Sequence, residues 1–203
     1  MPGVVRCVRN CERKKAKAIV STIRITSGEF GSRKIETPDT DKTHPMGDRI
    51  RTSLFNKIAP ELGGADVLDA FAGTGALGIE AMSRGARSAT FIERDRAAQQ
   101  TIAKNLTMLK LEEKTKLIRT NLNAWLDTTT DVKYDIIFAD PPYGDMQLST
   151  VERLFGLLKP SALMVLSQPG RSESLTVPGV VVVDNRSYGD ATLIFYRRDD
   201  YGA

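Results

Sequence analysis

The sequence predicts an α/β fold: a mostly parallel β-sheet with helices on both faces. Three observations carry that expectation. From about residue 61 onward, short apolar runs of strand type alternate with segments whose apolar residues recur at helical spacing. Turn-forming residues separate the runs, as at Gly63-Gly64 and Gly85. The chemically distinctive residues stand just after strand ends, where open α/β sheets bind their ligands.

Along the chain, residues 1 to about 20 show no period and read as an extension. Thr22–Thr26 and Arg33–Glu36 are short strand-like pieces around Ser27–Ser32, a hairpin. Ile50, Leu54, Phe55 and Ile58 repeat at helical spacing behind Asp48, and Pro60 with Gly63-Gly64 is expected to end that helix. Strands are then expected at Val67–Asp69, Ala89–Glu93, Thr115–Arg119 and Tyr134–Ala139, with helices at Ala76–Arg84, Arg96–Leu109, Leu122–Leu126 and Leu148–Leu158. Leu163–Ser167, Val180–Asp184 and Thr192–Tyr196 are late strands.

Composition sets outer limits. The chain has 203 residues, enough for one domain with a sizeable core, and its 41% apolar and 27% charged content is ordinary for a soluble protein. No apolar run is long enough to span a bilayer, and the basic N-terminus lacks the apolar segment of a secretory signal. A reduced cytoplasmic protein is expected. Cys7 and Cys11 have no partners to complete a metal site, with the single His44 far off, so no metal is expected. Charge is uneven. Residues 1–57 hold 13 Lys/Arg against 6 Asp/Glu, whereas residues 58–203 hold 16 against 19. A basic arm on a near-neutral body suits contact with a polyanion if the body carries nucleic-acid chemistry.

The first motif is Gly73-x-Gly75-x-x-Gly78, running from a strand into a helix, with Phe71 and Thr74 inside it. Glycines let backbone approach a ligand closely, and the helix N-terminus offers N–H groups. Asp69, four residues before the first glycine, would repel a pyrophosphate but suits a ligand with an amino group or hydroxyls. Glu93 ends the next strand, where an acid accepts hydrogen bonds from both ribose hydroxyls. Asn121 follows the third strand and is placed either to approach an adenine or to cap the next helix. Together these describe a nucleoside site without a diphosphate.

The second motif, Asp140-Pro141-Pro142-Tyr143, follows the fourth strand. Two prolines fix φ and withhold N–H groups, so the loop is stiff and its carbonyls stay available. An exocyclic amine on a nucleobase is a poor nucleophile because its lone pair is delocalised. Accepting its N–H bonds with the Asp140 carboxylate and the Pro141 carbonyl would stabilise the pyramidal, charge-bearing nitrogen of a transition state. Tyr143 would stack on the extruded base. No general base is obligatory, since the proton becomes acidic once the nitrogen is quaternised.

Asp69–Gly85, with Glu93 and Asp140–Tyr143, resembles the RsmD family, and the likeness runs from about Ile23 to Arg198. Gly28-Glu29-Phe30, Arg33-Lys34, Asp48-Arg49-Ile50-Arg51 and Tyr188-Gly189-Asp190 also fit. His44–Gly47 departs from the family's usual Arg-Pro-Thr, and Thr52 stands where Glu is usual. The resemblance implies a class I S-adenosylmethionine-dependent methyltransferase fold, a seven-stranded sheet whose last hairpin supplies an antiparallel strand. It also implies methylation of the N2 amine of a guanine in bacterial 16S ribosomal RNA, with S-adenosyl-L-methionine as cofactor. Asp69, Phe71, Gly73, Thr74, Gly75, Glu93 and Asn121 would then hold the cofactor, and Asp140 to Tyr143 the amine and base. Arg24, Arg33, Lys34, Arg49 and Arg51 would contact phosphate. The implied organisation is a basic extension over residues 1–21, an RNA-facing hairpin and helix over 22–60, and the methyltransferase domain over 61–203, acting as a monomer on 16S RNA or an assembling small subunit. Two alternatives stay open: a DNA amino-methyltransferase, which shares the Asp-Pro-Pro-Tyr motif, and a non-catalytic RNA-binding factor on the same scaffold. A dinucleotide oxidoreductase is disfavoured by Asp69.

Overall fold

Leu68, Ile137 and Met164 point to one side of the central sheet, and Val67, Phe138 and Val165 to the other; all six are buried. Side chains on a strand alternate faces, so these nearly all-apolar strands need helices on both sides. The computed structural model describes residues 21–38, 46–170 and 173–199. The expectations for His44, Cys7, Cys11 and the N-terminal extension concern residues outside these ranges.

Among the described residues, the elements run β1 (Thr22–Arg24), β2 (Lys34–Glu36), α1 (Asp48–Lys57), α2 (Ala59–Leu62), β3 (Asp66–Asp69), α3 (Ala76–Ser83), β4 (Ser88–Ile92) and α4 (Arg96–Leu109). They continue as β5 (Thr115–Ile118), α5 (Leu122–Thr128), β6 (Tyr134–Ala139), α6 (Leu148–Leu154), β7 (Leu158–Pro169), β8 (Val180–Tyr188) and β9 (Ala191–Arg198). β1 and β2 pair as an antiparallel hairpin, and seven strands form one sheet in the order β5-β4-β3-β6-β7-β9-β8. β5, β4, β3, β6 and β7 are mutually parallel, while β9 is antiparallel to both β7 and β8. The chain builds outward from β3 through β4 and β5, then returns to lay β6 on the other side of β3. That reversal opens a crevice at the carboxyl ends of β3 and β6.

The hairpin and α1 to α4 cover one face of the sheet, α5 and α6 the other. The core crosses residue 60 without a break, because Ile23, Ile35, Leu54, Phe55 and Ile58 are buried with Val67, Phe138 and Phe195. Polar bonds fix the hairpin further. The Glu80 carboxylate on α3 accepts from Thr26 N at 2.8 Å, Thr26 Oγ1 at 2.5 Å and Ser27 N at 3.1 Å. Gly28 has φ +84°, and a Cβ there would lie 1.9 Å from the Ser83 carbonyl oxygen, so this approach requires glycine. On the outer strand, Asn105 of α4 receives Glu36 N and donates to Glu36 O, both at 2.9 Å.

Several boundaries differ from the sequence reading, among them α6, which ends at Leu154. Pro60 does not end a helix; it occupies the first turn of α2, where its missing N–H costs nothing. β7 is longer than expected at both ends, starting at Leu158 and running to Pro169. β8 extends to Tyr188, pairing with β9 as far as Ala191. Edge and hairpin pairing lengthen these strands beyond what their hydrophobic pattern marks. No helix among the described residues is long and apolar enough to cross a membrane.

Candidate active site

A cleft of about 880 Å³ opens at the carboxyl ends of β3, β4, β5 and β6. The loop after β3 forms its floor. Gly73 and Gly75 both take positive φ, 52° and 75°, a turn that L side chains rarely adopt. Glu93, just past β4, holds that turn: its carboxylate accepts the Gly73 N–H at 2.7 Å and the Asp95 N–H at 2.7 Å. Phe71, Gly73, Thr74 and Glu93 line the cleft, with Ile92 and Leu77 as apolar walls. Asn121 also lines it, and its Oδ1 caps α5 by accepting Ala124 N at 2.8 Å, as one of the two sequence readings expected.

Asp69 and Gly75 were expected to touch a ligand, and neither lines the cleft. Asp69 is 1% exposed, and its carboxylate accepts the Gly78 N–H at 2.9 Å, tying the strand to the first turn of α3 beneath the glycine loop. Burial, opposed by the Gly78 bond and aided by Asp140 and Glu93, pushes its pKa up to about 7. Gly75 faces α4, where an added Cβ would meet Ile102 at 3.2 Å. Gly78 lies against the sheet, and a Cβ would meet the Phe91 ring at 2.3 Å. At two of the three motif glycines a side chain would thus meet packed neighbours, Ile102 of α4 and Phe91 of β4.

Asp140, Pro141, Pro142 and Tyr143, following β6, line the same cleft. Burial pushes the Asp140 carboxyl up to about 6, against a hydrogen bond from Ser167 that lowers it. It is therefore mostly ionised at neutral pH, an acceptor in a partly dry site. The Tyr143 hydroxyl lies 2.9 Å from Ser167 Oγ, and the residue remains 42% exposed.

Arg51 corrects the sequence reading most sharply. It was expected on an RNA-contacting surface, yet it is 1% exposed. Its Nη2 donates to Arg24 O at 2.6 Å and Asp48 Oδ1 at 2.9 Å, its Nη1 to Met46 O at 3.2 Å, and its Nε lies 3.9 Å from Glu80. Arg24, Arg33, Lys34 and Arg49 are exposed, with Arg33 stacked 5.4 Å over the Phe30 ring.

Met46, Ile50, Ser167 and Ala191 line the cleft as well, and the sequence reading missed all four. Nothing local marks them, because α1, β7 and β9 reach the site only through the fold. Arg94, Asp95 and Thr120 could have been found, since each directly follows a strand tip already singled out.

Comparison with known proteins adds the lineage. The family described as "Conserved hypothetical protein 95" matches residues 23–197. The chain belongs to the RsmD family. It is 38% identical over 159 residues to Ribosomal RNA small subunit methyltransferase D of Escherichia coli K12, covering 77% of this chain and 79% of that protein. It is 31% identical to the putative rRNA methyltransferase YlbH of Bacillus subtilis, over 87% and 99% of the two chains. Among solved structures, the putative methyltransferase yhhF from Escherichia coli superposes with a TM-score of 0.80 at 35% identity, covering 89% and 99%. A more distant putative methyltransferase solved with SAH, SMU.776, has a TM-score of 0.60 at 14% identity over 70% and 49%, a likeness of fold. The architecture of this RsmD-family chain is that of the class I S-adenosylmethionine-dependent methyltransferases.

Proposed function

We propose that this RsmD-family protein methylates the exocyclic N2 amine of a guanine in bacterial 16S ribosomal RNA, with S-adenosylmethionine as methyl donor. One observation carries the reading: a rigid acceptor corner, Asp140 with Pro141, shares a cleft with the Glu93-braced glycine loop. Relatives named as small-subunit ribosomal RNA methyltransferases supply the substrate class.

The residues present suit the cofactor. Glu93 offers a carboxylate for ribose hydroxyls, Ile92 and Leu77 offer apolar surface for a base, and Asn121 lines the same cleft. Bound there, S-adenosylmethionine supplies an electrophilic methyl group on a positively charged sulfur. The chain's own part is binding and orientation. Asp140, ionised above about pH 6, accepts one N–H of the amine, and the Pro141 carbonyl accepts the other. Both favour the pyramidal nitrogen and the positive charge it gains as it bonds to carbon; its proton then leaves to solvent. Tyr143 presents an exposed ring face on which the extruded guanine stacks. The exposed cations Arg24, Arg33, Lys34 and Arg49 contact phosphates. The protein acts as a monomer, and a ribosomal substrate implies the cytoplasm.

The test is incubation of the protein with methyl-labelled cofactor and, in separate reactions, unmodified small ribosomal subunits, naked 16S RNA and duplex DNA. N2-methylguanosine in digested ribosomal RNA is the expected product. Label in adenine or cytosine of DNA would overturn the reading in favour of a DNA amino-methyltransferase. Salt-sensitive RNA binding without any methyl product would mark a non-catalytic factor.

A further inference from the structure

Two prolines stiffen the backbone between Asp140 and Tyr143, but they do nothing for the two side-chain torsions of the tyrosine. Pro142, Tyr143 and Gly144 are all exposed. A ring in that position swings into solvent unless its far end is held. It is held by a residue 24 positions away in sequence: Ser167, at the cleft end of β7, whose preceding residue Leu166 is in register with Ala139 of β6. Ser167 is 3% exposed and its hydroxyl lies 2.9 Å from the Tyr143 hydroxyl; it follows Leu166 as Asp140 follows the paired Ala139, lines the same cleft as Asp140, and lowers that carboxyl's pKa as a hydrogen-bond donor would.

Proton inventory gives this chain a direction. A serine hydroxyl has one proton to donate, and an ionised carboxylate only accepts. With Asp140 ionised, Ser167 donates to Asp140, and Tyr143 must donate to Ser167. The phenol is thereby anchored at its rim while its face stays open to the cleft. Among the described residues, Asp69 of β3 and Tyr143 interact with Asp140, Glu93 acts on Asp69 from beyond β4, and Glu93, Arg94 and Asp95 line the same cleft.

We propose that Ser167 is a positioning residue for methyl transfer, one buried hydroxyl that binds the amine acceptor Asp140 and the stacking ring of Tyr143 into a single unit. This rests on the reading of the cleft as an amine-methylating site and extends it to a residue outside the Asp-Pro-Pro-Tyr motif.

Two measurements test it, one of which needs no RNA. Carbon-13 NMR of labelled aspartate carboxyls follows the Asp140 titration, with its signal assigned by Asp140→Asn. In Ser167→Ala the Asp140 midpoint should rise by about one pH unit, because a donor to the charged form is lost. In Ser167→Thr, which keeps the hydroxyl, it should stay near the wild-type position. The second measurement is methyl transfer to unmodified small ribosomal subunits across pH. Ser167→Ala should lower kcat by about tenfold to a hundredfold and move the acidic limb upward, with the KM for S-adenosylmethionine unchanged. Ser167→Thr should recover most of that loss. Tyr143→Phe, which keeps the ring and breaks the tie, should add little further loss on the Ser167→Ala background. An unmoved Asp140 titration in Ser167→Ala, or a Thr variant as defective as the Ala variant, overturns the proposal. Absence of methyl transfer by the wild type would instead remove the substrate reading, and the titration would still decide the role of Ser167.

Discussion

Arg51 Nε lies 3.9 Å from the Glu80 carboxylate, and both side chains are 1% exposed. Glu80 also receives Thr26, Ser27 and Arg84, so this cluster joins the hairpin, α1 and α3. Removing one partner from a buried ionic cluster leaves the rest uncompensated, which costs about 3–5 kcal/mol. Arg51→Ala should therefore lower unfolding stability by that order, read by urea denaturation. Arg33→Ala and Arg49→Ala should leave the unfolding midpoint in place and flatten the salt dependence of RNA binding by about one unit of slope each. Equal stability of Arg51→Ala and wild type would return Arg51 to the list of surface cations.

Gly78 marks the tightest helix–sheet approach. An added Cβ meets the Phe91 ring at 2.3 Å, and the ring is fully buried. Gly78→Ala should destabilise by about 1–3 kcal/mol through overpacking. Phe91→Leu on that background should recover part of the loss, because the two changes share one contact. Additive losses would mean the contact is relieved elsewhere.

Asp140→Ala removes the acceptor and leaves the cofactor half of the cleft intact. Methyl transfer should fall by about a hundredfold or more, while the Kd for S-adenosylmethionine, measured by calorimetry, changes little. Glu93→Ala should do the reverse, since it removes both a ligand acceptor and the partner of the Gly73 N–H. Retained turnover in Asp140→Ala would take that carboxylate out of the mechanism.

Asp69 and Asp140 give stability a slope with pH. Burial pushes their pKa values up from 3.8 to about 7 and about 6. The folded state then binds more protons than the unfolded chain across that interval. Their contribution is full below pH 3.8 and is lost as pH rises through 6 and 7. Asp66 and Asp184 run the other way: Arg87 and Lys57 hold them below the ordinary carboxylate range, so what they add is lost as pH falls. Between about pH 5 and pH 8 the first pair governs, and unfolding stability should decline less in Asp69→Asn than in wild type. Parallel curves would show that Asp69 does not titrate there.

Sequence alone determined the alternation of strands and helices from β3 onward and the placement of Phe71, Gly73, Glu93, Asn121 and Asp140 to Tyr143 at strand ends. The reason is local: hydrophobic period sets the element, and chain direction sets which end of a parallel strand carries the loop. It also carried the lineage, since those same stretches are the ones that resemble relatives. Tertiary structure decided which charges and glycines face inward. Arg51 and Arg49 are two residues apart on α1, yet one is buried and the other exposed, because only one side of that helix meets Glu80. The depth of Asp69 beneath the glycine loop, and the place of Ser167 beside the end of β6, came only with the fold. Periodicity reports how a segment repeats along its own axis; it carries nothing about which distant segment will lie across it.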